Sequence, residues 1–188
     1  MEIIFMLLDL LIIFFSVLYI FRFIRALSMR NKLIRQIKSI CKSKKHRLMS
    51  HRSPIASIFR LSKKTDLTVE TGSVTYHVKF FTTLSKKKIY HFVNRNNYIT
   101  FLKIYFALPF AAKASESILF SAFHRFDTDM PEVHENEKYI LLFNPVPNDV
   151  TYIDPVGAHR VAGNGTVMDG LCVYNAKGFC KLIDGESG

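Results

Sequence analysis

Residues 3–21 form an apolar run broken only by Asp9 and Ser16, and Phe23 and Ile24 carry it past Arg22. No polar stripe recurs at helical spacing within it, so the run predicts a helix that meets an apolar medium on every side. At about 1.5 Å per residue it reaches roughly 29 to 33 Å, the thickness of a bilayer's hydrocarbon core. Residues 1–24 are therefore expected to be a transmembrane anchor. No Lys or Arg precedes the run, and Arg22-Phe-Ile-Arg25 follows it in place of small residues, so a cleaved signal is not expected. Beyond the run, Leu27, Leu33, Ile34, Ile37, Ile40, Cys41 and Leu48 recur at spacings of three, four and seven, with Lys and Arg between them. That periodicity predicts an amphipathic basic helix to about Met49, its apolar side laid against the acyl chains. Pro54 and its serine neighbours close this juxtamembrane segment, residues 25–64, as a linker.

Residues 65–188 are long enough for one domain with its own core. In their first half the pattern switches to period two: Val74, Tyr76, Val78 and Phe80 alternate with Thr75, His77, Lys79 and Phe81. Strands are predicted at 67–69, 74–81, 89–94 and 98–106, joined by turns at Gly72-Ser73, 85–88 and 95–97 into one antiparallel meander. Over 109–126 the placement of Ala111, Ala112, Ala114, Ile118, Leu119, Ala122 and Phe123 predicts a helix entered at Pro109. Further strands are expected at 139–143, 150–153, around Val161 and at 167–174, with 179–183 a strand or helical turn. Adjacent Phe80 and Phe81 would point to opposite faces of their strand, so both faces of the sheet should meet apolar surface. The fold class is α+β: the N-terminal transmembrane helix and the basic amphipathic helix, then a mainly antiparallel sheet domain, built as one sheet or two short sheets, with at least one packed helix.

Charge changes the picture of where this domain sits. The formal net charge is +11, yet residues 22–64 alone hold fourteen Lys and Arg and no Asp or Glu, while residues 65–188 hold twelve basic and thirteen acidic side chains. A near-neutral domain behind a basic collar does not carry the signature of a nucleic-acid binder. Only Phe59 and Phe23 offer stacking surface within the collar. Arg22, Arg25, Arg30, Lys32, Arg35 and Lys38 flank the C-terminal side of the span and nothing basic flanks the other, which predicts a single pass in the cell membrane with the N-terminus outside and the domain cytosolic. The same six residues are the candidates for anionic lipid headgroups, each contributing about 1 kcal/mol near the surface. Three cysteines without Cys-x-x-Cys spacing agree with a reducing compartment.

Candidate chemistry is thin. The densest group, His124, Asp127, Asp129 and His134, offers imidazole and carboxylate donors suited to a divalent ion, but at no calcium-loop or zinc spacing. Asp66, Glu70 and Lys79 invite comparison with metal-dependent nucleases, whose chemistry needs a Glu two residues before the Lys; His77 stands there. No Gly-x-Ser-x-Gly elbow or phosphate loop is present. His77 and His91, on successive strands, are expected as solvent-face or core-edge residues, the alternative being that they face each other across the meander. The expected function is a single-pass membrane protein whose cytosolic domain binds a protein partner, without catalysis or cofactor. A membrane-tethered metal-dependent hydrolase and a membrane-held nucleic-acid-binding protein are the alternatives.

Overall fold

The apolar run and the basic segment form one unbroken helix, α1 (Glu2–Lys44), about 64 Å long. The computed structural model describes residues 2–51, 65–83, 88–106, 115–125, 135–144, 146–147 and 149–185. From Ile4 to Ile24 the large apolar side chains of α1 are exposed apart from the half-buried Phe23, Phe21 being 71% exposed. From there the helix acquires an inner face: Ala26, Arg30, Leu33, Ile37 and Cys41, spaced by three and four, are all buried. The expected helix to Met49 stops five residues short. Lys45 takes a left-handed backbone (φ 60°), and the His46 amide donates to the Cys41 carbonyl at 2.8 Å, the six-to-one bond of a Schellman stop. Residues freed by that stop become the first strand.

Eleven strands follow: β1 (Arg47–Ser50), β2 (Leu67–Glu70), β3 (Thr75–Phe81), β4 (Lys88–Asn94), β5 (Asn97–Phe106), β6 (Ser115–Arg125), β7 (Glu137–Phe143), β8 (Asp149–Ile153), β9 (His159–Val161), β10 (Thr166–Met168) and β11 (Leu171–Asn175). A second helix, α2 (Ala176–Gly185), ends the described chain. The strands build two sheets, a six-stranded one in the order β1-β2-β3-β7-β11-β10 and a five-stranded one in the order β6-β5-β4-β8-β9. The fold is α+β; most pairings are antiparallel, with β3, β7 and β11 parallel in the first sheet and β4 and β8 parallel in the second.

Two expectations about these elements are corrected. The single meander is split, because β3 already has β2 on one edge and β7 on the other, which sends the chain after Phe81 into a second sheet. The helix expected over 109–126 is replaced by β6 from Ser115 on; residues 107–114 lie outside the described set. β6 pairs antiparallel with β5 over ten register positions, from Asn97 opposite Arg125 to Phe106 opposite Ser115. This long ladder outweighs the weak helical spacing of Ser115–Arg125, a stretch that also contains three serines and two phenylalanines.

The layers stack as helices, first sheet, second sheet. On the helix side, Leu33 and Ile37 of α1 and Phe179 and Ile183 of α2 pack on Tyr76, Val78, Phe80, Ile140 and Leu142. On the other side Phe81 is the centre of an aromatic cluster, its ring 4.9 to 5.7 Å from those of Phe143, Tyr90, Tyr98 and Phe92. Phe80 and Phe81 therefore do face two different apolar layers. The apolar stripe of the basic helix is part of the first of these cores, so the domain's packed unit begins at about Ala26.

Candidate binding groove

The carboxyl ends of β3, β7 and β11 all point toward the turn of α1 that follows the apolar run. Arg30 is completely buried there: its guanidinium lies 3.8 Å over the Phe80 ring and donates to the Thr82 hydroxyl just after β3. Asn144, the residue after β7, donates its side-chain amide to the Met29 carbonyl at 3.2 Å. At the end of β11, the Asn175 side-chain oxygen accepts the Gly178 amide at 2.7 Å and caps the start of α2. Asn164 in the preceding turn accepts the Asn175 amide at 2.7 Å. The Asn164-Gly-Thr sequence thus serves as a turn that positions α2. A Cβ on Gly178 would come within 2.5 Å of the Asn164 side chain, so glycine is needed where turn and helix cross.

These contacts set α1 and α2 side by side and pointing the same way. At their far ends the His46 Nε2 donates to the Ile183 carbonyl at 3.0 Å, and Lys44 sits 3.8 Å from Asp184. Between the helices runs a groove of ≈ 770 Å³, within the roughly 300 to 1,000 Å³ range of ligand sites. Met29, Leu33, Ile40 and Cys180 give it an apolar floor, and Lys32, Lys177 and Lys181 a cationic rim. Its one carboxylate, Asp184, is the group beside Lys44. The groove opens at the carboxyl ends of β7 and β11, the usual location of ligand sites beside parallel strands.

No family model, no curated protein and no solved structure matches this chain. The groove is therefore interpreted from its own chemistry.

Of the six basic residues nominated from sequence, Arg22, Arg25, Lys32, Arg35 and Lys38 are exposed and Arg30 is not. Lys32 lines the groove; Arg30 locks α1 onto the first sheet. His124 lies near the end of β6 opposite Tyr98, whereas Asp127, Asp129 and His134 fall outside the described residues. Among the described residues no three His, Cys, Asp or Glu side chains come together as a metal site. Asp66 accepts the Phe80 amide at 2.8 Å, so its carboxylate holds the start of β2 against β3.

His77 and His91 do not face each other, because their strands lie in different sheets. The His77 Nε2 is 3.6 Å from a Glu137 oxygen, and its ring stacks on Tyr139 at 4.9 Å. The His91 Nδ1 is hydrogen-bonded to the Thr151 hydroxyl at 2.8 Å, with the His159 ring stacked 4.9 Å away. Burial pushes the thiols of Cys41, Cys172 and Cys180 upward, which keeps them protonated and poor nucleophiles. Sequence reasoning overlooked Lys177 and Lys181. Their spacing of four on an amphipathic segment was readable, but the segment's pairing with α1 was not.

Proposed function

We propose that this chain is a single-pass membrane protein, N-terminus outside, whose cytosolic α+β domain is a binding module with the groove between α1 and α2 as its recognition site. The observation that carries the reading is the change of partner along one helix. None of the apolar window of α1 is buried against the domain, yet about four turns later Ile37 is completely enclosed by it. A 43-residue helix with those two surfaces couples an anchor rigidly to a folded body. Among the described residues it is the one helix long and apolar enough to span a bilayer.

The anchor is tested by washing membranes with alkaline carbonate: the protein stays in the pellet, and its release would refute the anchor. The binding role is tested by placing a photo-crosslinking residue at Gln36 or Ser39, which line the groove, and at Lys38, which does not. In native membranes the groove positions yield discrete adducts that Lys38 does not yield. Equal patterns from all three positions would refute recognition in the groove.

A further inference from the structure

We infer that the groove between α1 and α2 holds one anionic phospholipid of the leaflet facing the domain, with its phosphate among the basic side chains at the groove's mouth. This inference rests on the membrane reading above and deepens it. It replaces a diffuse attraction between collar and headgroups with a built site.

Depth is the first argument. Exposed large apolar side chains on α1 end at Ile24, and Met29, at the groove's mouth, comes five residues later, or about 7 to 8 Å along the helix. Headgroup layers add about 5 to 8 Å to each side of the hydrocarbon core. The mouth therefore opens at headgroup depth.

Helix phase is the second. Positions seven and eleven residues apart fall on one face of an α-helix, within about 20°. Leu18 and Arg22 lie eleven and seven residues before Met29, and Gln36 and Ile40 seven and eleven after it. The face that forms the groove thus continues into the membrane as Leu18 and Arg22, which themselves border a hollow on the helix surface. Arg25 stands on the same side, one turn before Met29, and is exposed. A lipid whose acyl chains lie along Leu18 brings its phosphate between Arg22 and Arg25 on one side and Lys32 and Lys177 on the other. Its headgroup then extends over Leu33 toward Lys181.

Charge is the third. Three lysines face the groove against a single carboxylate, and that carboxylate lies beside Lys44 at the end farthest from the membrane. The capped start of α2 also presents the positive end of its helix dipole toward the mouth. Its apolar floor favours an amphiphile over a free anion.

The test uses the intact protein in detergent micelles, titrated with short-chain phosphatidylglycerol or phosphatidylcholine and followed by its thermal midpoint. Phosphatidylglycerol is expected to give a saturable rise that phosphatidylcholine does not give. The double variant K177Q/K181Q should weaken apparent affinity by at least about tenfold, since each lysine near a headgroup contributes about 1 kcal/mol. Lys38 and Lys42 do not line the groove and lie about 180° and about 140° around α1 from Met29; K38Q/K42Q removes the same charge and should leave affinity within about twofold. Equal losses in the two double variants, or no loss in K177Q/K181Q, would overturn the site. So would glycerol 3-phosphate reproducing the rise, which would mean a free phosphate ligand, or an acidic peptide saturating the groove in place of the lipid. The carbonate wash separates the two failures. A protein retained in the pellet but indifferent to lipid charge loses only the groove proposal, whereas release from the pellet refutes the anchor beneath it.

Discussion

His91 shows how a side chain acquires its behaviour from a layer that its own strand does not reveal. Alternation along β4 puts Tyr90 and Phe92 in the aromatic core and His91 on the other face, where it is nonetheless only 8% exposed. There it bonds the Thr151 hydroxyl of β8 and stacks on His159. Burial, and secondarily the neighbouring His159, lower its pKa from the ordinary value. In the unfolded chain the imidazole titrates near 6.5, so the unfolded state takes up the proton first as pH falls. The neutral ring's contribution to stability is therefore present above about pH 6.5 and is lost as pH drops through the folded value. His91→Asn keeps a group able to bond Thr151 but cannot titrate. The variant's midpoint should lie below wild type at pH 7.5, and the gap should narrow as the buffer is taken from pH 6.5 to 5. A gap that is constant across thermal melts in that range would refute the assignment. Neither the burial nor the His159 stack was legible in the sequence, because both depend on the parallel placement of β8 beside β4.

At the scale of elements, α1 separates what a pattern specifies from what it leaves open. The spacing of Leu33, Ile37 and Cys41 correctly gave a helix and its apolar side, but an apolar stripe flanked by lysines fits a lipid surface and a protein core equally well. The structure assigns it to the core through Arg30, Asn144 and the paired helix α2. Ile37→Ala should then destabilise the folded domain by about 2 to 4 kcal/mol, the usual loss for a buried aliphatic truncation. Lys38→Ala, one residue on and exposed, should stay within about 0.5 kcal/mol of wild type. Denaturant melts of the intact protein in micelles distinguish these outcomes, and equal stabilities would mean that Ile37 faces lipid. Strands β2 to β5, β7 and β8 were legible because alternation and turn residues agreed there. β6 was not, since Ile118, Leu119, Ala122 and Phe123 fit a helical face and its partner β5 is a tertiary fact. One readable signal was passed over: Asp169-Gly170, both at positive φ, splits the segment read as one strand into the hairpin of β10 and β11.

For the molecule as a whole, the proposed sidedness rests on the collar. If α1 spans a bilayer, its basic flank stays on the cytosolic side, and because α1 continues into the core without a break, the whole domain must stay with it. The groove, the lysine rim and the carboxyl ends of the parallel strands then all face the cytosolic leaflet. Single cysteines placed at the two ends report this directly. Glu2→Cys should react with a membrane-impermeant maleimide on intact cells, and Val156→Cys, at a site 87% exposed on the domain, should react only after lysis. The native thiols give little background: Cys41 is buried, Cys172 and Cys180 are partly covered, and burial raises the pKa of all three. Labelling of Val156→Cys before lysis would reverse the topology and place the groove on the outer surface, whereas labelling of Glu2→Cys alone would hold the basic rim against the inner leaflet, where anionic lipid can reach it.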